Sequence, residues 1–155
     1  MNILNSDPIS PLDGRYYEKV KEVGNYFSEF ALFQKRLLVE IHYLLFLYSE
    51  TIISSNISVQ SNALLTNIVQ NFTTDDYEKI KSYETTTKHD VKALEYFLKD
   101  KLSNTPASQL INYIHLGLTS EDVNNLAYGI LTKDFITCEY LTVLDNLISI
   151  LKNLA

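Results

Sequence analysis

A chain of 155 residues with 13 Lys+Arg against 19 Asp+Glu carries a net charge of −6. That is too acidic for a general nucleic-acid binder, which needs a basic stripe to neutralise phosphates. Hydrophobic residues at 46% and charged residues at 21% suit a globular fold, and one cysteine excludes a disulfide framework or a thiolate metal cluster.

Four glycines and three prolines are too few for a fold that turns often, so the expected class is all-α with few, long elements. Residues 1–14 hold two of the prolines and no periodicity, and read as an extended arm. The arm lacks a basic region followed by an apolar one, so no signal peptide is expected. No apolar run approaches the ~18–20 residues of a membrane span, and a cytoplasmic location follows as the default. From about Tyr16 to Tyr48, apolar residues such as Val20, Val23, Phe27, Phe30, Leu37, Ile41 and Leu44 recur at steps of three and four, the spacing of an amphipathic helix. Gly24 is the expected weak point in it.

Residues 49–61 read as a loop, Asn62–Asn71 as a short helix. Another helix starts at Thr73-Thr74-Asp75-Asp76, where a hydroxyl caps and carboxylates meet the dipole, and is expected to end near Tyr83, before Thr85–Thr87. The next carries Val91, Leu94, Leu98 and Leu102, with Asp90 in its first turn and Lys99 and Lys101 in its last. Ser103–Pro106 stops it, and Pro106 opens a short helix through Ile114. Thr119-Ser120-Glu121-Asp122 begins a helix of roughly 35 residues, about 50 Å long. Such a rod outruns the core this chain supplies, so it is expected either to be cut off or to need partner helices. The expected domains are residues 1–118 and 119–155.

Three groups carry possible chemistry. Arg15, after the Asp13-Gly14 turn, either holds a phosphate or carboxylate at a helix entrance or pairs with Asp13. His89 and Asp90 follow Thr85–Lys88 at a loop-to-helix junction, where an imidazole either orients an anion and moves a proton or merely accompanies threonine caps. Thr119 and Ser120 either bind an anion at the positive end of the last helix or simply cap it. His115 reads as a packed histidine. His42, His89 and His115 share no short metal spacing, and neither a phosphate loop nor a nucleophile elbow occurs. The tyrosine and phenylalanine stripes read as core, not as platforms for bases.

In order along the chain, these groups resemble the adenylosuccinate lyase family. The arm Ser10–Tyr16 matches its Ser-Pro-x-Asp-Gly-Arg-Tyr, Thr86–Phe97 its Thr-Thr-x-His-Asp-Val-Lys-Ala-x-Glu-Tyr-Phe, and Thr119–Asn125 its Thr-Ser-Glu-Asp-x-Asn-Asn. Lys88 stands where bacterial members usually carry Asn. The resemblance implies an elimination that releases fumarate from adenylosuccinate, and from the succinyl-carboxamide imidazole ribotide of the earlier purine step, without a metal or other cofactor. It implies that Arg15 and Tyr16 hold the nucleotide at its phosphate, that Lys88, His89 and Asp90 line the substrate site, and that Thr119 and Ser120 bind a succinyl carboxylate. It also implies a homotetramer built on a bundle of long helices, of which this chain supplies the first domain and part of one helix. The family's acid histidine, in Ser-x-Thr-His-Gly-Gln, and its base serine, in Ser-Ser-x-Met-Pro-x-Lys-x-Asn-Pro, do not occur in these residues. The chain therefore contains no catalytic residue on this reading. The alternative is a non-catalytic helical protein that binds nucleotide or associates with other helices.

Overall fold

The computed structural model describes residues 10–50, 53 and 58–154, and every regular element among them is helical. Most of the expected arm, residues 1–9, and residues 51, 52 and 54–57 of the expected loop at 49–61 lie outside the described residues. A short helix α1 (Tyr17–Val20), a 3-10 turn (Lys21–Val23) and α2 (Gly24–Phe27) precede α3 (Glu29–Ser49). The single helix expected from Tyr16 is therefore broken twice, at Val20 (φ −129°, ψ 12°), where the 3-10 turn begins, and at Ser28, while Gly24 is not a break. Ser28 is extended (φ −78°, ψ 159°), and its Oγ accepts the Ala31 N–H at 3.1 Å. A serine hydroxyl offers the backbone a partner outside the helical ladder, which outweighs the freedom of a glycine. Gly24 itself keeps ordinary helical angles (φ −58°, ψ −28°).

From α3 the side chains Phe33, Leu37, Ile41, Leu44 and Leu47 form one buried stripe. Burying each such side chain stabilises the fold by about 1.5–3 kcal/mol. The stripe meets Leu65 of α4 (Val59–Gln70), Ile80 of α5 (Thr74–Thr87), and Leu94, Phe97 and Leu98 of α6 (Asp90–Leu102). Helix α4 begins earlier than the expected Asn62 because Ser58 takes the Ser61 N–H at 3.1 Å. Helix α5 runs through Thr85–Thr87 instead of ending near Tyr83. Thr85 satisfies its hydroxyl inside the helix by donating to the Ser82 carbonyl at 2.7 Å, so the cluster does not open a loop. Helices α5 and α6 turn back on each other through Lys88 and His89 alone. Lys101 near the end of α6 reaches Asp76 in the first turn of α5 at 2.7 Å, and Lys79 reaches Asp100 at 2.8 Å. The short helix expected from Pro106 is a 3-10 turn over Ser108–Tyr113.

Helix α7 (Ser120–Phe135) continues through a π turn (Ile136–Tyr140) into α8 (Leu141–Leu154), one rod without a break. Its first half packs on α3 with Val123, Ala127 and Leu131 buried, whereas α8 buries nothing. The π turn sits where α2 and α3 brace the rod. The rings of Tyr26 and Phe27 lie edge-on to Phe135 (5.7 and 5.2 Å), Tyr26 donates to Glu139 at 3.0 Å, and Lys35 pairs with Asp134 at 2.7 Å.

Candidate functional site

Helix α5 ends because Lys88 turns left-handed (φ 52°, ψ 26°), its N–H still bonded to the Glu84 carbonyl at 2.9 Å. His89 then extends (φ −149°, ψ 117°) and caps α6 with its ring, Nδ1 accepting the Lys92 N–H at 3.3 Å. The cap is thus the imidazole, not a threonine. Thr87 supports it from behind, its hydroxyl donating to the His89 carbonyl at 3.0 Å. Because Nδ1 accepts, the hydrogen of the uncharged ring sits on Nε2.

That nitrogen faces the start of α7, with Nε2 3.3 Å from Ser120 Oγ. The structure therefore brings together His89 and Ser120, which lie 31 residues apart in the chain. Nε2–H donates, so the Ser120 oxygen accepts and its own hydrogen is left to donate outward. In this tautomer the ring cannot take the serine proton, and the pair suits holding an anion rather than arming a nucleophile. The first turns of α6 and α7 add two positive dipole ends.

Thr119 caps α7. Its amide and hydroxyl both donate to Asp122 Oδ2 (2.7 and 2.8 Å), and its Oγ1 accepts the Asp122 N–H at 3.3 Å, a complete capping box. Those bonds from Thr119 hold the Asp122 carboxyl below its usual range. Asp90 is likewise lowered. Burial works to raise it, but the Val91 N–H at 2.8 Å and the Arg36 guanidinium outweigh that.

Arg36 is a residue that the sequence patterns do not single out. It is 4% exposed, and its fork donates from Nη2 to Asp90 Oδ2 at 2.6 Å and from Nε to Asn124 Oδ1 at 2.8 Å. One turn further along α3, Glu40 is 2% exposed and bonds His115 Nδ1 at 2.5 Å. Burial pushes the Glu40 carboxyl up, against the opposing bond from His115, and its Oε2 has no partner. His115, read as packed, is largely buried and bonded to Glu40, and its backbone is held in a left-handed turn (φ 59°). A buried charge on a stripe of apolar neighbours is the one signal that marks Arg36 and Glu40 in advance. Their partners lie too far along the chain to be read from spacing.

Arg15 and Tyr16 stand apart from this junction. Both are exposed at the entrance to α1, where the Tyr16 N–H bonds the Pro11 carbonyl at 2.9 Å and the Arg15 guanidinium lies 5.5 Å from the Tyr16 ring centre. The Asp13 carboxylate, the partner that the local reading gave Arg15, takes the Ser10 N–H at 2.6 Å and its hydroxyl at 3.0 Å. No described hydrogen bond or ion pair links Arg15 or Tyr16 to His89 or Ser120. Lys88 is exposed at the mouth of the junction.

A family model described as lyase matches residues 14–155, which include every one of these groups. The chain is 42% identical over 139 residues to the adenylosuccinate lyase of Legionella pneumophila (strain Corby), covering 88% of this chain and 30% of that protein. It is 43% identical over 134 residues to the adenylosuccinate lyase of Haemophilus influenzae, covering 84% and 29%. With that of Escherichia coli (strain K12) the identity is 38% over 136 residues, covering 86% and 30%. The chain thus spans about 30% of the length of these curated relatives. No described helix is long and apolar enough to cross a membrane. With the lyase match running unbroken from the Arg15 turn through the His89–Ser120 junction and along the rod, the chain belongs to the lyase family.

Proposed function

We propose that this chain supplies substrate-binding groups to an adenylosuccinate lyase, an enzyme that eliminates fumarate from adenylosuccinate to leave AMP and acts likewise on the succinyl-carboxamide imidazole ribotide. The observation that carries this reading is the approach of His89 Nε2 to Ser120 Oγ at 3.3 Å, where two helix N-termini meet. Outward-facing donors in that setting fit a carboxylate of the succinyl group. Ser120 binds that carboxylate, Thr119 holds the turn that presents Ser120, and His89 with Asp90 and Lys88 lines the reacting region. Arg15 and Tyr16, exposed on the arm, hold the nucleotide phosphate.

In the reaction, a base takes the proton from the succinyl Cβ and the neighbouring carboxylate stabilises the carbanion. The C–N bond then breaks as an acid protonates the departing nitrogen. Within this chain the work is fixing negative charge; the acid and base belong to segments these 155 residues do not contain. Residues 1–118 form the first domain and 119–155 the start of a central bundle. The assembly is a cytoplasmic homotetramer. Support for helix association comes from α8, where Val143, Leu147, Ile150, Leu151 and Leu154 are all more than half exposed.

The test is Arg15→Ala in a lyase completed with the acid and base segments. Loss of a charge-assisted bond of about 1.5–3 kcal/mol raises KM for adenylosuccinate roughly 10–150-fold, with stability nearly unchanged. Arg15→Lys recovers only part of this, having the charge without the planar fork. An unchanged KM removes Arg15 from the site.

A further inference from the structure

Among the buried polar groups, Arg36 has an arrangement that packing alone does not require. Its two bonded nitrogens reach different helices, 54 and 88 residues further along the chain. Both targets stand beside the candidate site. Asp90 follows His89 directly, and Asn124 lies one turn beyond Ser120. The Phe33 ring covers the guanidinium, 5.0 Å from its central carbon, and keeps water from competing for those bonds.

We infer that Arg36 is the positioning residue of this site: its fork sets the spacing between the first turns of α6 and α7, and so creates the contact between His89 and Ser120. The inference rests on the lyase reading only for what the contact binds. The geometry explains the choice of arginine. Asp90 and Asn124 need two donors in one plane at a fixed separation, which a guanidinium has and an ammonium lacks. His89 and Ser120 have no bond to each other except this 3.3 Å approach, which is too weak to hold two helices in register. Arg36 touches neither residue. It acts through the turns that carry them and through the Asp90 carboxylate, whose Oδ1 lies 3.6 Å from His89 Nδ1.

The test uses the whole 155-residue chain, isotope-labelled, in three forms: unaltered, Arg36→Lys and Asn124→Ala. Helix content is followed by circular dichroism, and the contact by the cross-peak between the His89 ring hydrogens and the Ser120 Hβ. Succinate is the probe titrated against the His89 signals. The expected result is a strong cross-peak in the unaltered chain, its loss in both folded variants, and at least tenfold weaker succinate binding in each. A folded Arg36→Lys that keeps the cross-peak overturns the inference. If Arg36→Lys fails to fold, Asn124→Ala decides. That change sits at a half-buried position and leaves the Arg36–Asp90 pair in place, so a retained cross-peak there overturns the inference and a lost one supports it. An unaltered chain that binds no succinate at His89 counts against the lyase reading, while the cross-peak still decides the role of Arg36.

Discussion

The two halves of the last rod carry the same kind of apolar periodicity and meet opposite fates. In α7, Val123, Ala127 and Leu131 are buried against α3, Asp134 is pinned by Lys35, and the start is closed by a capping box. In α8, Leu147 and Leu151 repeat the same spacing with more than half of their surface exposed. Hydrophobic period therefore tells which face of a helix seeks a partner, and not whether the chain provides one. The provision comes from elsewhere: α2 and α3 reach the rod as far as the π turn, and no further.

The largest expected effect follows directly. Leu131→Ala removes a fully packed side chain and is expected to cost about 2–5 kcal/mol in a urea melt. Leu147→Ala in α8 is expected to stay within about 0.5 kcal/mol in dilute solution. Equal losses would mean that α8 is already packed.

Next comes the cap. Thr119→Ala is expected to cost about 1 kcal/mol, because the Asp122 N–H loses its acceptor and the Asp122 carboxylate loses the hydroxyl donor, while the backbone N–H of residue 119 stays bonded. Hydrogen exchange is expected to speed up in the first turns of α7 and to leave α8 unchanged; a change spread over the whole rod would contradict this.

Legibility followed range in the chain. The starts at Thr73 and Thr119 could be read because a hydroxyl and a carboxylate three residues on form a local, complete unit. The break at Ser28 was misplaced to Gly24, since the intrinsic cost of glycine is small against a serine that bonds an amide three residues ahead. Thr85–Thr87 looked like a loop only while the i−3 carbonyl that Thr85 uses was out of view. His89, Asp90 and Ser120 can be read as polar groups at helix starts, and it takes folding to place His89 against Ser120. Arg36 and Glu40 show in the sequence only as charges on an apolar stripe, because the partners that define them lie tens of residues away.

Acid provides a milder test. Burial works to raise both Asp76 and Asp90, but Lys101 and Thr73 lower the first, and the Val91 amide with Arg36 lowers the second. With folded values below the unfolded ones, their contribution is whole above the ordinary aspartate range of about 3.9. It is lost as pH falls through the lower folded values. Each is expected to account for less than about 1 kcal/mol at this exposure. Urea midpoints that begin to fall below about pH 5 and keep falling as the pH is lowered fit this; midpoints that rise below pH 4 contradict it.

The smallest effect belongs to the turn before His89. Lys88 holds a left-handed backbone that costs a side chain with a Cβ about 1–2 kcal/mol. Lys88→Gly regains part of this and loses part to unfolded-state freedom, for a net gain of about 0.5 kcal/mol in thermal melts. A loss of stability would mean that the Lys88 side chain is tied to the fold.

Residue-resolved hydrogen exchange along the rod, measured at rising chain concentration, tests the central comparison most directly. Protection in 120–135 that does not depend on concentration, with protection in 141–154 appearing only as the chain associates, is the expected result. Strong protection of 141–154 at the lowest concentration, or none at the highest, would contradict the claim that α7 is completed within the chain and α8 by other helices.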